Sequence, residues 1–492
     1  MRLTLTQFGQ WLPADVQTPI SLYLGLVGDA PGILLESAEV DGRLGRYSLM
    51  AWDFRCLFTQ RQGRLAVDVL DQRLRPLAEL NGMPCVEGLR RALAMIDVRQ
   101  SLPKQDGSPA SDREDLPPIT RSLIGYLGYG VAGLLEPELE TALPAEDADL
   151  ALALPGRMVL FDHLRHRCCF LSLDRDDKPL PKPVPSFQDI AAPRAAEAEP
   201  ESTPERAGYK AAVERAKELI RDGECIQVVL STRFTAPLTD APFRIYRRLR
   251  QANPSPFMFY MHLPDGSGED MTLLGSSPEM LVRCDRGHLE VRPIAGTRPR
   301  GADEAEDQSL AEELLADPKE RAEHVMLVDL GRNDLGRIAA PGSVNVRRFM
   351  QVERFSHVMH LTSYVDAQLR DGLDALDVLA ATFPAGTVSG APKIRAMEII
   401  ADLEAEHGES RPRGPYAGCI GWLGLGAGPV SLDTGITIRS LWIRGEQIHW
   451  QAGAGIVFDS DPEKEWQECN NKARVLREVV RGREDGDVFA DR

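Results

Sequence analysis

The sequence predicts an α+β protein with large, mainly antiparallel sheets. Three observations lead there: strands come in runs of neighbours, helices intervene in groups, and 492 residues suffice for a full core. In the first half, GILLESAEV, RYSLMAW, GRLAVDVL and RMVLFDHL are apolar runs that read as strands, with one helix at 86–97. Residues 174–208 are rich in Pro, Ala and Glu and nearly free of large apolar residues, which reads as an extended linker. Beyond it, YKAAVERAKELIRD (209–222) carries a helical apolar stripe stopped by Gly223. ECIQVVLSTRF follows as a buried strand, then a helix near 242–252 and the strands FMFYMHL, MTLLGSS, MLVRCD and HLEVRPIAG. Helices are expected at 303–316, 318–335, 372–381 and 391–406. The strands PYAGCIGWLGL, VSLDTGITIRSLWI and QIHWQAGAGIVF precede a last helix from about Pro462 to Gly482. The division expected is an N-terminal region 1–173, the linker 174–208, a second domain 209–482 and a tail 483–492.

Composition narrows the function classes. The net charge is −17, whereas phosphate backbones need a basic face, so nucleic acid is not an expected partner. An anionic substrate would need a local group of cations or a metal. No apolar run approaches the ~20 residues of a membrane span, and MRLTLTQFGQWLPADVQ lacks the features of a secretory signal. A cytoplasmic location is expected. The eight cysteines are scattered with no CxxC pair, so buried, reduced thiols are expected rather than zinc or disulfides.

Several stretches could carry chemistry. VRPIAGTRPRG (291–301) places Arg292, Arg298 and Arg300 around a side-chain-poor bend, either an anion-binding wall or a solvated hairpin end. DPKERAEH and DPEKEWQECNNK give Glu320 with Glu323 and Glu465 with Glu468, each an i,i+3 pair on one helix face. Acidic residues in a first helical turn also offset the macrodipole, so the spacing permits a hard cation such as Mg²⁺ without requiring one. FPAGTVSGAPKIRAMEII (383–400) runs a loop of small and hydroxyl residues into a helix, which suits a close-lying anion or a plain helix entry. GLGAG (424–428) leads into a strand and is a hairpin loop rather than a dinucleotide fingerprint. His357 and His360 lie in the apolar FSHVMHLTS, and Glu279 in GSSPEM sits at a strand junction.

Taken in order, IQVVLS, SSPE, PIAGTRPRG, ERAEHVMLVDLGRNDLGR, HVMHL, PAGTVSGAPK, RGPYAG, ITIRS and QAGAGIVFDSDPEKEWQE resemble the chorismate-utilising enzymes over nearly all of 209–480. TPISLYLGL, LLES and GRYSLMA resemble the N-terminal part of anthranilate synthase component I. The resemblance implies two facing antiparallel sheets with helices outside and an active site in a deep cleft. It implies that Glu320, Glu323, Glu465 and Glu468 hold a Mg²⁺ on the ring carboxylate of chorismate. Tyr416 and Arg439 match the residues that hold the enolpyruvyl carboxylate, Gly453 and Gly455 the backbone that meets the ring carboxylate. Thr297, Thr387 and Ser389 match polar pocket positions. His360, rather than His357, matches the active-site histidine that helps elimination, and Glu279 the acid that protonates the leaving 4-hydroxyl.

The nucleophile separates the branches. Relatives that activate water carry a lysine where Gln227 stands, and many aminodeoxychorismate synthases carry a lysine where Ala295 stands. Both absences point to direct attack by ammonia, loss of the 4-hydroxyl and elimination of pyruvate to give anthranilate, the first committed step of tryptophan biosynthesis. With no glutaminase elbow in this chain, a separate glutamine amidotransferase subunit is the implied partner. Glu36, Ser37, Arg46, Pro256, Phe257, Met258, Ile420 and Trp422 match a tryptophan feedback site, with Trp422 replacing the usual tyrosine. The alternatives are an aminodeoxychorismate synthase component I of the folate pathway, or a silent homologue that binds chorismate or tryptophan only.

Overall fold

The computed structural model describes residues 2–37, 45–102, 116–143, 149–174, 200–264, 270–355, 358–405, 412–426 and 428–482. His357, most of the expected linker (175–199) and the tail from 483 onward lie outside the described residues.

Two sheets are joined along two long strands. Tyr47–Arg61 and Leu150–Asp162 pair antiparallel over almost their whole length, with a register shift between Phe54 and Cys56. One half of this ladder leads through Gly32–Glu36, Phe257–Pro264, Asp270–Ser277, Ser440–Arg444 and Gln447–Ile456 to Gln227–Pro237. The other half leads through Ser122–Leu127, Cys419–Gly424, Leu432–Ile436, Met280–Asp285 and His288–Val291 to Val358–Gln368. The last strand also pairs with Ile294–Pro299 and Asn345–Arg354.

Alternation along single strands shows that the sheets face each other. In Phe257–Pro264, Phe259 and Met261 share one core with Ile124, Val282 and Val365 of the opposite sheet. Their neighbours Met258 and Tyr260 point the other way, into a second core with Phe243, Tyr246, Leu476 and Val480 from helices Pro242–Ala252 and Pro462–Arg481. A period of two thus puts sheet against sheet on one side and helix against sheet on the other. Strands from before and after the expected linker are interleaved in both sheets.

The helices begin where their caps dictate. Asp317 accepts from the backbone N–H groups of Lys319 and Glu320, and Pro318 opens the helix Pro318–Gly336. Asp461 and Pro462 do the same for Pro462–Arg481, which Gly482 ends at φ 72°. One expectation needs correction. The stretch read as linker is structured from Glu201: Glu201–Thr203 pairs with Arg233–Thr235, and the next helix starts at Arg206. Its polar first turn is fixed by ion pairs from Arg206 and Lys210 to Glu463, which an apolar stripe does not report.

Candidate functional site

The site is built on strand ends and the two acidic helices. Glu279 lies between Asp270–Ser277 and Met280–Asp285, and its Oε1 accepts a hydrogen bond from the Thr387 hydroxyl at 2.8 Å. Burial lifts the Glu279 pKa to about 7, against the opposing pull of Thr387 and Lys472. A carboxyl tuned in this way keeps a proton to give near neutrality. A cavity of about 50 Å³ opens on Glu279 and Thr387 and extends between Arg292, Leu330 and Asp334.

His360 is oriented by a bulge. The pairing of Ile294–Pro299 with Val358–Gln368 shifts between Ala295 and Thr297, leaving Gly296 as the extra residue at φ 64°. The Gly296 carbonyl lies 2.9 Å from His360 Nδ1, and the Thr297 hydroxyl 3.1 Å from it. A carbonyl can only accept, so this contact assigns the proton to Nδ1 and leaves Nε2 as an acceptor. Burial, then nearby Arg439 and Arg292, hold the ring's pKa below the usual histidine value despite the Gly296 contact, which keeps it neutral. The absent Gly296 side chain also makes room: a Cβ there would stand 3.1 Å from Glu320 Oε2.

A second wall is backbone. Gly455 and Gly453 pair with Val229 and Ser231 of the Gln227–Pro237 strand. A Cβ at 455 would collide with the Gln227 amide, and one at 453 would stand 2.8 Å from the Tyr416 hydroxyl. Gln227 is buried and its Oε1 has no partner. Arg439 adopts φ 51°, and Ala417, beside Tyr416, φ 64°. Left-handed backbone in non-glycine residues is costly and gathers where geometry is over-determined. Arg439 Nη1 donates to the Lys472 carbonyl at 3.2 Å.

The four carboxylates come from two helices. Burial raises the pKa of Glu323, with Glu320 and Glu468 adding to the shift, and burial raises Glu465 with Glu468 adding to it. Like charges on the two helices therefore face one another. Glu468 pairs with Lys472 at 2.7 Å, and Glu320 stands 3.5 Å from Arg298. Among the described residues no three His, Cys, Asp or Glu side chains are gathered into a ligand cluster. The donor set, four carboxylates that repel each other, fits a hard cation in its chemistry.

Two expectations change here. The arginines of VRPIAGTRPRG do not line a cleft as free cations. Arg292 pairs with Glu353, Arg298 with Glu313 and Asp317 at 2.9 Å each, and Arg300 with Asp307 at 2.6 Å. Their charges are matched by the scaffold, and the bend is an extended strand with a bulge. Ser389, expected in the pocket, is fully buried and its hydroxyl donates to the Ala385 carbonyl at 2.8 Å, so it fastens the loop.

Several of the expected effector residues lie close together. Glu36 pairs across the strands with Met258, and Phe257 fills the space above Gly435, which pairs with Ile420. Pro256 adjoins them, Ser37 Oγ is buried without a partner, and Trp422 is half-buried two residues beyond Ile420. Arg46 forms a fork with Asp162 at 3.1 and 2.9 Å. The sequence reading missed Tyr246 and Arg250, which hold the Glu36 carboxylate at 2.8 and 2.9 Å. It also missed Lys472, whose Nζ reaches the Gly453 carbonyl at 3.0 Å. The signal for Lys472 was its place four residues after Glu468 on one helix face.

Comparison with known proteins identifies the family. The family described as chorismate binding enzyme matches residues 80–478. The anthranilate synthase component 1 of Thermus thermophilus is 41% identical, over 96% of this chain and 97% of its own. That of Aquifex aeolicus is 40% identical over 95% and 93%. The crystal structure of anthranilate synthase component I from Streptococcus pneumoniae superposes with a TM-score of 0.69 at 32% identity, covering 95% of this chain and 99% of that one. The chain belongs to the chorismate binding enzyme family, in the branch of anthranilate synthase component 1.

Proposed function

We propose that the protein makes anthranilate and pyruvate from chorismate and ammonia. The observation that carries this reading is Gln227, a buried amide whose oxygen has no partner beside the substrate wall. An amide oxygen accepts an N–H from ammonia but is far too weak a base to deprotonate water. With Ala295 inert as well, the nitrogen must come from outside the chain. Its lone pair bonds to ring carbon 2 while the bond to the 4-hydroxyl breaks, and Glu279 supplies the proton that lets the hydroxyl leave as water. Loss of the carbon 2 proton, with His360 Nε2 placed as acceptor, accompanies departure of the enolpyruvyl group as pyruvate. One ammonia enters, and one water and one pyruvate leave.

Tyr416, Arg439 and Thr297 bind and orient the substrate carboxylate, where a guanidinium suits two oxygens. Glu320, Glu323, Glu465 and Glu468 would hold Mg²⁺, whose charge would balance the ring carboxylate of the substrate. A separate glutamine amidotransferase, the second component, would deliver the ammonia, and tryptophan would inhibit through the Glu36 site in a cytoplasmic enzyme of tryptophan biosynthesis. Among the described residues no helix is long and apolar enough to cross a membrane.

The test is purified chain with chorismate, Mg²⁺ and high ammonium at alkaline pH. Anthranilate fluorescence with equimolar pyruvate is the expected result. Chorismate consumed without pyruvate, or no turnover, would overturn it. Calorimetry addresses the metal: Glu468→Gln is expected to weaken Mg²⁺ binding at least tenfold, and unchanged binding would contradict that assignment.

A further inference from the structure

Arg413 is a cation that the reaction leaves unused, and its side chain is 2% exposed. Its Nε and Nη2 fork onto Glu404 at 2.9 and 2.7 Å. Nη1 donates to the Val388 carbonyl at 2.9 Å and Nη2 to the Val229 carbonyl at 2.6 Å. The guanidinium carbon stands 4.7 Å from the ring centre of Tyr129 and 5.7 Å from that of Tyr416. Glu404 in turn accepts from the Ser231 backbone N–H and hydroxyl at 3.0 and 2.7 Å.

These contacts reach three segments of the site: the Thr387 loop, the strand facing Gly453 and Gly455, and the segment that carries Tyr416. Val388 lies next to Thr387. Val229 pairs with Gly455 and Ser231 with Gly453. The Tyr129 N–H donates to the Gly414 carbonyl at 2.8 Å, which ties the segment leading to Tyr416 to the N-terminal half. Burying an arginine is tolerable only when nearly all of its donors are matched, and here the matching acceptors are distributed over separate segments. Loops held by one shared cation cannot shift independently.

We propose that Arg413 is a positioning residue that pre-sets Tyr416 and the flanking backbone for the substrate carboxylates. The proposal rests on the reading of chorismate as substrate. Lysine at this place keeps the charge beside Glu404 but cannot form the fork and reach two carbonyls together. Arg413→Lys is therefore expected to raise KM for chorismate at least tenfold with kcat within about threefold, whereas loss of folded enzyme alone lowers apparent kcat and leaves KM in place. Tyr416→Phe should raise KM by itself, and in that background the effect of Arg413→Lys should shrink to under threefold, because the two act through one element. An unchanged KM in Arg413→Lys, or full independence of the two substitutions, would overturn the proposal. If Arg413→Lys does not fold, Glu404→Asp draws the guanidinium back by one carbon and must give the same KM shift; wild-type KM there overturns it equally. Absence of anthranilate from the wild-type chain would instead defeat the substrate reading itself.

Discussion

Glu279 and Glu36 are the same residue type, both well enclosed and little more than one strand apart. Glu36 pairs with Met258, and the neighbouring Phe257 pairs with Ser277, two residues before Glu279. Their partners make them different tools. Glu36 lies between the Arg250 guanidinium, which forks onto both of its oxygens, and the Tyr246 hydroxyl. Glu279 receives one hydroxyl in a desolvated place, so its proton is retained to about pH 7. The two carboxyls differ in what faces them: a guanidinium fork and a phenol at Glu36, a single hydroxyl at Glu279.

The sharpest way to break this contrast is Glu279→Gln. It removes the transferable proton and keeps the shape, so kcat for anthranilate should fall by about 10²–10⁴-fold. A rate near wild type would return Glu279 to a structural role. Gly455→Ala comes next. Its Cβ would collide with the Gln227 amide, and displacing that group should lower kcat/KM about tenfold, in line with overpacking of about 1–3 kcal/mol.

A third test reads stability. Because folding raises the Glu279 pKa, the folded chain binds the proton more tightly than the unfolded one. Stability from this group is full below the ordinary carboxyl range near 4.5 and is lost as pH rises through about 7. At pH 8 Glu279→Gln should thus be more stable than wild type, by up to about 2–3 kcal/mol, and the gain should shrink to about 1 kcal/mol or less at pH 5. Denaturant midpoints at the two pH values would show it. The smallest effect belongs to Glu36→Gln. It leaves the partly exposed Arg250 without a counter-charge, costing about 1 kcal/mol, and should weaken tryptophan inhibition with kcat within twofold. A large loss of kcat would erase the distinction between the two glutamates.

The parts of the site that local spacing governs were legible in the sequence. Glu320 with Glu323 and Glu465 with Glu468 follow from i,i+3 geometry behind an Asp-Pro cap, and the helices start where the caps fall. Gln227 and Ala295 were informative because a missing amine is readable from one residue. The arginines of VRPIAGTRPRG were not legible as scaffold, since Glu353, Glu313 and Asp307 reach them only through the fold. Nor was the bulge that turns the Gly296 carbonyl onto His360, because register depends on the partner strand. Arg413 stood inside a quoted motif, yet its role needs Glu404 and Val229, the latter 184 residues away in sequence.

Gly455 carries one more consequence. The space it leaves is filled by the side chain at 227. Position 455 and position 227 are therefore coupled across two paired strands: the bareness of one sets how large the other can be. A side chain at 455 would make any residue at 227 give way, so the glycine acts as a spacer whose size is read one strand away.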